Sequence, residues 1–161
     1  MSESIGPTLR KNWQRLAPLP GGKWLFSRLV GFTAPYSDSI KATVQELVPG
    51  HGVITLKETR RIRNHLWSVH AIAIANLAEL VTGLTLMNSL PPGMRGILIG
   101  IEMEYLKKAR GLLTAECDCD IPVNTEKREF IIQGQIRNSD NAVVAIGRAR
   151  WLIGPEKSTD A

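Results

Sequence analysis

The stretch RIRNHLWSVHAIAIANLAELVTGLTLM, residues 61–87, decides the fold. From His70 onward it is nearly all apolar and contains no proline, which predicts a helix over 70–87. Its length is close to the minimum for crossing a bilayer, but Asn76, Glu79 and two threonines interrupt it and strand-like segments flank it. We therefore expect a helix buried in a protein core and no integral membrane association.

The segments around this helix alternate between apolar and polar residues, as strands do. Residues 39–58 predict a hairpin closed by the turn PGHG, and four strands are predicted at 97–106, 111–120, 128–137 and 142–153. Two apolar faces are predicted among them, one formed by Ile97, Ile99, Ile101, Met103 and Tyr105, the other by Phe130, Ile132 and Ile136. Short connections favour antiparallel pairing. The sequence therefore predicts an α+β fold, a curved antiparallel sheet of about six strands wrapped around one long helix.

Two short helices are predicted ahead of the sheet, over 8–20 and 21–32. Leu9, Trp13 and Leu16 form one face of the first, and Leu25, Leu29 and Phe32 recur at helical spacing in the second. A length of 161 residues suits one domain. We predict an N-terminal helical extension at 1–37, the domain itself at 38–153, and a flexible tail at 154–161.

Charge and cysteine content narrow the function classes. The net charge of +5 and pI near 9.5 favour anionic partners, but the basic residues are scattered, so nucleic-acid binding is not expected. Cys117 and Cys119 read as free thiols, and with only three histidines, none near them, no metal site is expected. No signal peptide is recognisable, and a reduced cytoplasm is the expected location.

Glu79 is an acidic residue within an otherwise mostly apolar helix, and the fold alone does not explain its presence. It forms one narrow polar stripe with Asn76, Thr82 and Gly83, and an ionised carboxylate costs several kcal/mol to bury. A structural role would pair it with an arginine or a backbone amide, or place it at an exposed helix edge. A functional role would hold it in a dry cleft as a base or nucleophile, where burial raises its pKa.

His70 and Asn64 precede the buried part of this helix. The unpaired N–H groups of a helix N-terminus can hold a developing oxyanion, and an asparagine amide can orient water or substrate. Taken alone, His70 is better explained as a helix cap and Asn64 as a loop turn. Together with Glu79, they suggest a catalytic site.

The pattern N-x5-H-A-I-x6-E, formed by Asn64, His70 and Glu79, resembles the Asn…His-Gly-Gly…Asp/Glu motif of PaaI-like hotdog-fold thioesterases. EYLKKARG, residues 104–111, resembles a segment that follows the first strand after the helix in that superfamily. The whole stretch is most similar to an uncharacterised hotdog subgroup. The resemblance covers residues 38–153.

This resemblance implies a homodimer with sheets joined edge to edge, possible pairing into a tetramer, and an active site between subunits. Asn64 and His70 of one subunit would face Glu79 of the other. The N–H of Ala71 would polarise the thioester carbonyl, Glu79 would activate water or attack directly, and Asn64 would position the attacking group. No cofactor is implied beyond coenzyme A as part of the substrate. The basic residues that could bind its phosphates are Lys107, Lys108, Arg110, Arg61 and Arg63.

Departures from the motif keep several functions open. Ala71 and Ile72 replace two glycines, and Trp67 stands where many relatives have glycine. A thioesterase acting on acyl-CoA or acyl carrier protein is the leading hypothesis. A non-catalytic module binding acyl thioesters or lipids, and a structural homodimer with Glu79 paired to arginine, are the alternatives. A hotdog dehydratase is disfavoured because its proline-rich His loop and longer His-to-Glu gap are absent.

Overall fold

The computed structural model describes residues 5–120 and 126–156 of the chain. The helices are α1 Ile5–Leu16, α2 Gly22–Thr33, α3 Pro35–Asp38 and α4 Ala71–Ser89, with a 3₁₀ turn at Arg60–Ile62. The strands are β1 Thr43–Val48, β2 His51–Lys57, β3 Met94–Tyr105, β4 Leu112–Asp118, β5 Arg128–Arg137 and β6 Val143–Pro155.

The six strands form one antiparallel sheet in the order β1-β2-β4-β5-β6-β3. The chain leaves β2, forms α4, and returns to the opposite edge of the sheet, where β3 pairs with β6. Helix α4 contacts all six strands. The predicted α+β architecture, with a curved six-stranded sheet around one long helix, is confirmed.

Helix α4 packs directly against the sheet at two strand positions that carry no side chain. A Cβ at Gly147 would lie 2.6 Å from the Cβ of Ala78, and one at Gly134 would lie 2.9 Å from Cγ1 of Val81. Leu77, Ala78 and Val81 are fully buried as a result. By length and composition α4 could also cross a membrane. Its packing against every strand instead makes it the core of the domain.

The N-terminal helices are packed onto this core. Trp13 of α1 meets Phe26 of α2 edge to face, with ring centroids 5.0 Å apart, and both rings are buried. The guanidinium of Arg10 donates to the carbonyls of Asn88 and Leu90, at the C-terminal end of α4. These carbonyls have no partner within their own helix, so Arg10 fastens α1 to the end of α4.

Three features differ from the sequence-based expectations. Leu25, Leu29 and Phe32 do lie on α2 at helical spacing, but they are exposed, and Phe26 is the residue that packs inward. Strand β6 continues to Pro155, two residues into the predicted tail, and residues 157–161 lie outside the described part of the chain.

The third difference is a β-bulge in β3 between Leu98 and Gly100. Leu98 pairs with Trp151 and Ile101 pairs with Ala149, so both face α4, whereas Ile97 pairs with Leu152 on the other face. The single apolar face predicted for β3 is therefore wrong, because the extra residue of the bulge shifts the alternation by one. The face shared by Phe130, Ile132 and Ile136 on β5 is confirmed by their pairing with Trp151, Ala149 and Ala145.

Candidate functional site

Glu79 lies in the third turn of α4 and is half-buried. Its carboxylate makes no hydrogen bond or ion pair with any residue that the structure describes. Burial alone raises the pKa of Glu79, since removal of water disfavours the charged form. No arginine or backbone amide among the described residues pairs with it, so no interaction in the described part of the chain offsets the burial of this carboxylate.

The other members of its polar stripe are satisfied. The Asn76 amide donates to the carbonyl of Tyr36 in α3, at 3.2 Å. The Thr82 hydroxyl donates to the carbonyls of Ala78 and Glu79 within its own helix. Within this stripe, Glu79 is therefore the residue whose side chain has no hydrogen-bond partner among the described residues.

Glu79 opens into a cavity of about 660 Å³, which we call the Glu79 cavity. It is lined by one face of α4, by α1, α2 and α3, and by Trp151 of β6. Gly83 leaves space between the Glu79 carboxylate and the indole ring of Trp151. A Cβ at this position would lie 3.1 Å from Cη2 of Trp151 and 3.6 Å from Oε1 of Glu79. The indole N–H of Trp151 is buried and has no hydrogen-bond partner among the described residues. The volume is within the range of small-molecule pockets, roughly 300–1,000 Å³.

The start of α4 presents free backbone donors. His70 caps the helix, and its Nδ1 accepts the N–H of Ile72 at 3.1 Å, which places the proton of the neutral ring on Nε2. The N–H of Ala71 has no acceptor in the described part of the chain. Tyr105, at the end of β3, donates its hydroxyl to the carbonyl of Ala71 at 3.0 Å and so fixes this end of the helix. The arrangement can polarise a carbonyl oxygen placed at Ala71.

Asn64 has a structural role that its sequence position already suggested. Its Oδ1 accepts from the backbone N–H of Leu66, and from the N–H and hydroxyl of Ser68. Because these N–H donors require an oxygen, the orientation of the amide is determined and Nδ2 remains a free donor among the described contacts. Asn64 lines a second cavity of about 330 Å³, the Asn64 cavity, together with Ala71, Tyr105, Lys107 and Lys108.

The predicted site residues therefore fall into two groups within one protomer. Asn64 and Ala71 share the Asn64 cavity, whereas Glu79 lines the Glu79 cavity. Glu79 follows His70 by nine positions, about 13.5 Å along the helix axis at 1.5 Å per residue. A single protomer does not bring these groups together on one reacting atom.

The five basic residues considered for phosphate binding differ in their contacts. Lys107 and Lys108 line the Asn64 cavity, and Arg61 is exposed. Arg110 donates to the carbonyls of Trp67 and Leu66, and so supports the loop before α4. Trp67 has a positive φ of 55°, a left-handed backbone conformation that favours glycine.

Arg63 pairs with Glu58, whose carboxylate also accepts the N–H of Gly111. The Gly111 N–H, with help from Arg63, lowers the pKa of Glu58 despite partial burial. Arg63 and Arg110 thus hold the loop that carries Asn64, while Lys107 and Lys108 remain beside the cavity.

Sequence reasoning did not identify Trp151, Tyr105 or α1 as parts of a site. The residues of α1 that line the Glu79 cavity recur at helical spacing: Ile5, Thr8, Leu9 and Asn12. This spacing predicts a helix, but it does not predict which part of the protein that face of the helix contacts. Phe26 also lines this cavity, whereas Trp24 and Trp67 do not.

One group of potential metal ligands occurs among the described residues, His51, Glu116 and Asp118, with ligand atoms within 4.8 Å of one another. Nδ1 of His51 is already hydrogen-bonded to Asp118, and both carboxylates are exposed. The group shares no residue with either cavity. It adds nothing to the chemistry at Glu79.

Comparison with known proteins gives the family and the fold. The model of the family described as "Domain of unknown function (DUF4442)" matches residues 22–153, and no curated protein matches the sequence. The protein called genomics APC5556 is 29% identical with a TM-score of 0.81, covering 92% of this chain and 99% of its own. PA5026 of Pseudomonas aeruginosa, named a probable thioesterase, is 21% identical with a TM-score of 0.74, covering 86% and 97%.

A third structure is a hypothetical thioesterase of Streptococcus pneumoniae TIGR4 solved with coenzyme A. It is 19% identical with a TM-score of 0.61, covering 73% of this chain and 91% of its own. These likenesses show the hotdog fold, and the resemblance to hotdog-fold thioesterases read from the sequence is confirmed.

Proposed function

Because the chain belongs to the DUF4442 family and has the hotdog fold found in named thioesterases, we propose that it hydrolyses acyl thioesters of coenzyme A or acyl carrier protein. The observation that carries the proposal is Glu79, a half-buried carboxylate with no partner among the described residues, in the wall of a cavity large enough for a substrate. A buried carboxylate without a partner lowers the free energy of unfolding. A purely structural role for Glu79 does not account for this cost.

The proposed enzyme is a homodimer joined through β3. This strand is twelve residues long and lies at one edge of the sheet, with Ile97, Ile99 and Ile101 at least 37% exposed. A long edge strand with exposed apolar side chains favours pairing with a second copy. The other edge strand, β1, is half as long. In the dimer, Glu79 of one subunit would face Asn64 and Ala71 of the other.

In the proposed reaction, Glu79 removes a proton from water, and the water oxygen bonds to the thioester carbonyl carbon. The carbonyl oxygen becomes an oxyanion, which the free N–H of Ala71 stabilises. The free Nδ2 donor of Asn64 positions the carbonyl or the water. The C–S bond then breaks, the sulfur takes up the proton, and the products are a carboxylic acid and a thiol. A raised pKa makes Glu79 a stronger base once it is ionised.

The thiol part of the substrate would leave through the Asn64 cavity. Lys107 and Lys108 line that cavity and supply positive charge for phosphates, in keeping with the net charge of +5. The coenzyme A in the S. pneumoniae structure supports a thioester of this type as substrate. We propose no cofactor beyond the coenzyme A of the substrate, and a cytoplasmic location.

Release of thiol from a panel of aryl-, short- and long-chain acyl-CoAs tests this function, with Glu79→Gln as the matched variant. Hydrolysis by the wild type and a loss of about 10²–10⁴-fold in the variant would support it. Equal inactivity of both proteins, with acyl-CoA still bound, would favour the non-catalytic binding module. Inactivity without binding would leave only a structural role for the fold.

A further inference from the structure

We propose that the Glu79 cavity, which the N-terminal helices cover on one side, binds an aliphatic acyl chain. The substrates would then be medium- to long-chain acyl thioesters. This inference rests on the proposed function, since it places the acyl part of the substrate that Glu79 would attack. The hotdog domain alone does not make this cavity, because α1 and α2 form much of its wall.

The cavity follows α4 away from Glu79. Its α4 residues are Glu79, Leu80, Gly83, Leu84 and Met87, which share one face of the helix over two turns. From Glu79 to Met87 is about 12 Å at 1.5 Å per residue. A chain whose carbonyl lies at Glu79 can therefore extend along the helix toward Met87.

The N-terminal helices hold the far end of this channel in place. A Cβ at Gly6 would lie 2.6 Å from the carbonyl oxygen of Met87, so α1 rests directly on α4 there. Arg10 ties the same helix to the carbonyls of Asn88 and Leu90. The buried Trp13–Phe26 pair then joins α1 to α2. These contacts pack α1 and α2 firmly against the rest of the domain, so the helices that cover the cavity are an ordered part of the fold.

The chemistry of the lining selects an uncharged chain. Glu79 is the only ionisable residue among the described residues that line the cavity; the others are apolar or neutral, with Leu29, Val30 and Phe32 supplied by α2. A dicarboxylic or otherwise charged acyl group would lose its hydration without gaining an opposite charge. A free fatty acid would place its carboxylate beside that of Glu79, so a neutral thioester fits better than its product.

Chain-length profiles of wild type and two opposite variants at Met87 test the proposal. For the wild type, kcat/KM should rise roughly fourfold for each methylene buried, from acetyl-CoA to the preferred chain. Met87→Trp fills the far end and should move the optimum to shorter chains. Met87→Ala should move it to longer chains. Lys11→Trp, on the exposed side of α1 and away from the cavity, should leave the profile as it is.

A binding measurement separates this inference from the proposed function. Calorimetry with non-hydrolysable S-alkyl-CoA thioethers should show tighter binding for longer alkyl groups, weakened by Met87→Trp. If thioesters are hydrolysed but neither Met87 variant moves the profile or the thioether affinity, the acyl cavity is refuted and the hydrolase stands. If no thioester is hydrolysed while Met87→Trp weakens long-chain thioether binding, the cavity stands and the hydrolase is refuted. If neither occurs, both are refuted.

Discussion

Glu79 and Asn64 line two different cavities of the same protomer, although the motif that joins them in sequence spans only sixteen residues. Their separation follows from the geometry of α4, whose start carries the Asn64 loop while Glu79 lies more than two turns further along. The proposed site therefore draws the two residues from two subunits.

Mixed dimers test this arrangement. Glu79→Gln removes the carboxylate, and Asn64→Asp removes the Nδ2 donor while keeping the oxygen that accepts from Leu66 and Ser68. If Glu79 works with Asn64 of the other subunit, a purified hybrid of the two variants holds one intact site and regains about half of wild-type activity. Both variant homodimers serve as controls. A hybrid no more active than either parent would show that the residues act within one subunit or not together.

Ionisation of Glu79 should make stability depend on pH. Because burial raises its folded-state pKa, Glu79 favours folding at pH values below the ordinary glutamate pKa, and this contribution is lost as pH rises through the folded-state pKa. Glu79→Gln lacks the penalty, so it should unfold at higher denaturant concentration than the wild type at neutral and alkaline pH. The gap should close in acid, as urea titrations across pH would record. A variant that is less stable at neutral pH would instead indicate that the carboxylate has a stabilising partner.

The β3 edge should control assembly. Ile97→Lys combined with Ile99→Lys puts two charges on residues that are 45% and 37% exposed, and should convert the proposed dimer to a folded monomer without activity. Light scattering coupled to size exclusion measures the mass. Val48→Lys is the matched control, since Val48 is 43% exposed and lies on the opposite edge strand. A dimer that persists in the β3 variant and dissociates in the control would place the interface at β1.

Arg10 should stabilise the N-terminal helices. Arg10→Ala removes its hydrogen bonds to the carbonyls of Asn88 and Leu90, and we expect a loss of about 1.5–3 kcal/mol in the free energy of unfolding. Lys11→Ala, at the exposed next position, should change it by no more than about 0.5 kcal/mol. Equal values for the two variants in chemical denaturation would mean that Arg10 does not fasten α1 to α4.

The periodicity of the sequence was sufficient for α1, α2, α4, the six strands and the architecture, but not for the short helix α3. Strand β5 occupies residues 128–137 as predicted, and α4 begins at Ala71, one residue after its cap. Both depend on local patterns, the alternation of a half-buried strand and the unbroken apolar run of a core helix. Glu79 could be identified because one acid in such a run conflicts with its surroundings.

Tertiary contacts decide the features that the sequence did not reveal. The β3 bulge is defined by pairing with β6, and the local sequence from Leu98 to Gly100 does not predict it. Leu29 and Phe32 of α2 line a cavity and are exposed, whereas Phe26 packs beside Trp13. The cavity itself combines residues from α1, α2, α4 and β6, which are far apart in the chain. A pattern within one element does not contain that information.

The ratio of kcat for the wild type and Glu79→Gln, measured on the best acyl-CoA by thiol release, tests the central claim most directly. A base that takes a proton from the attacking water predicts a ratio of about 10²–10⁴, with both proteins folded and binding the same S-alkyl-CoA thioether. A wild type that releases thiol no faster than its glutamine variant would contradict the assignment of Glu79 as the reacting carboxylate.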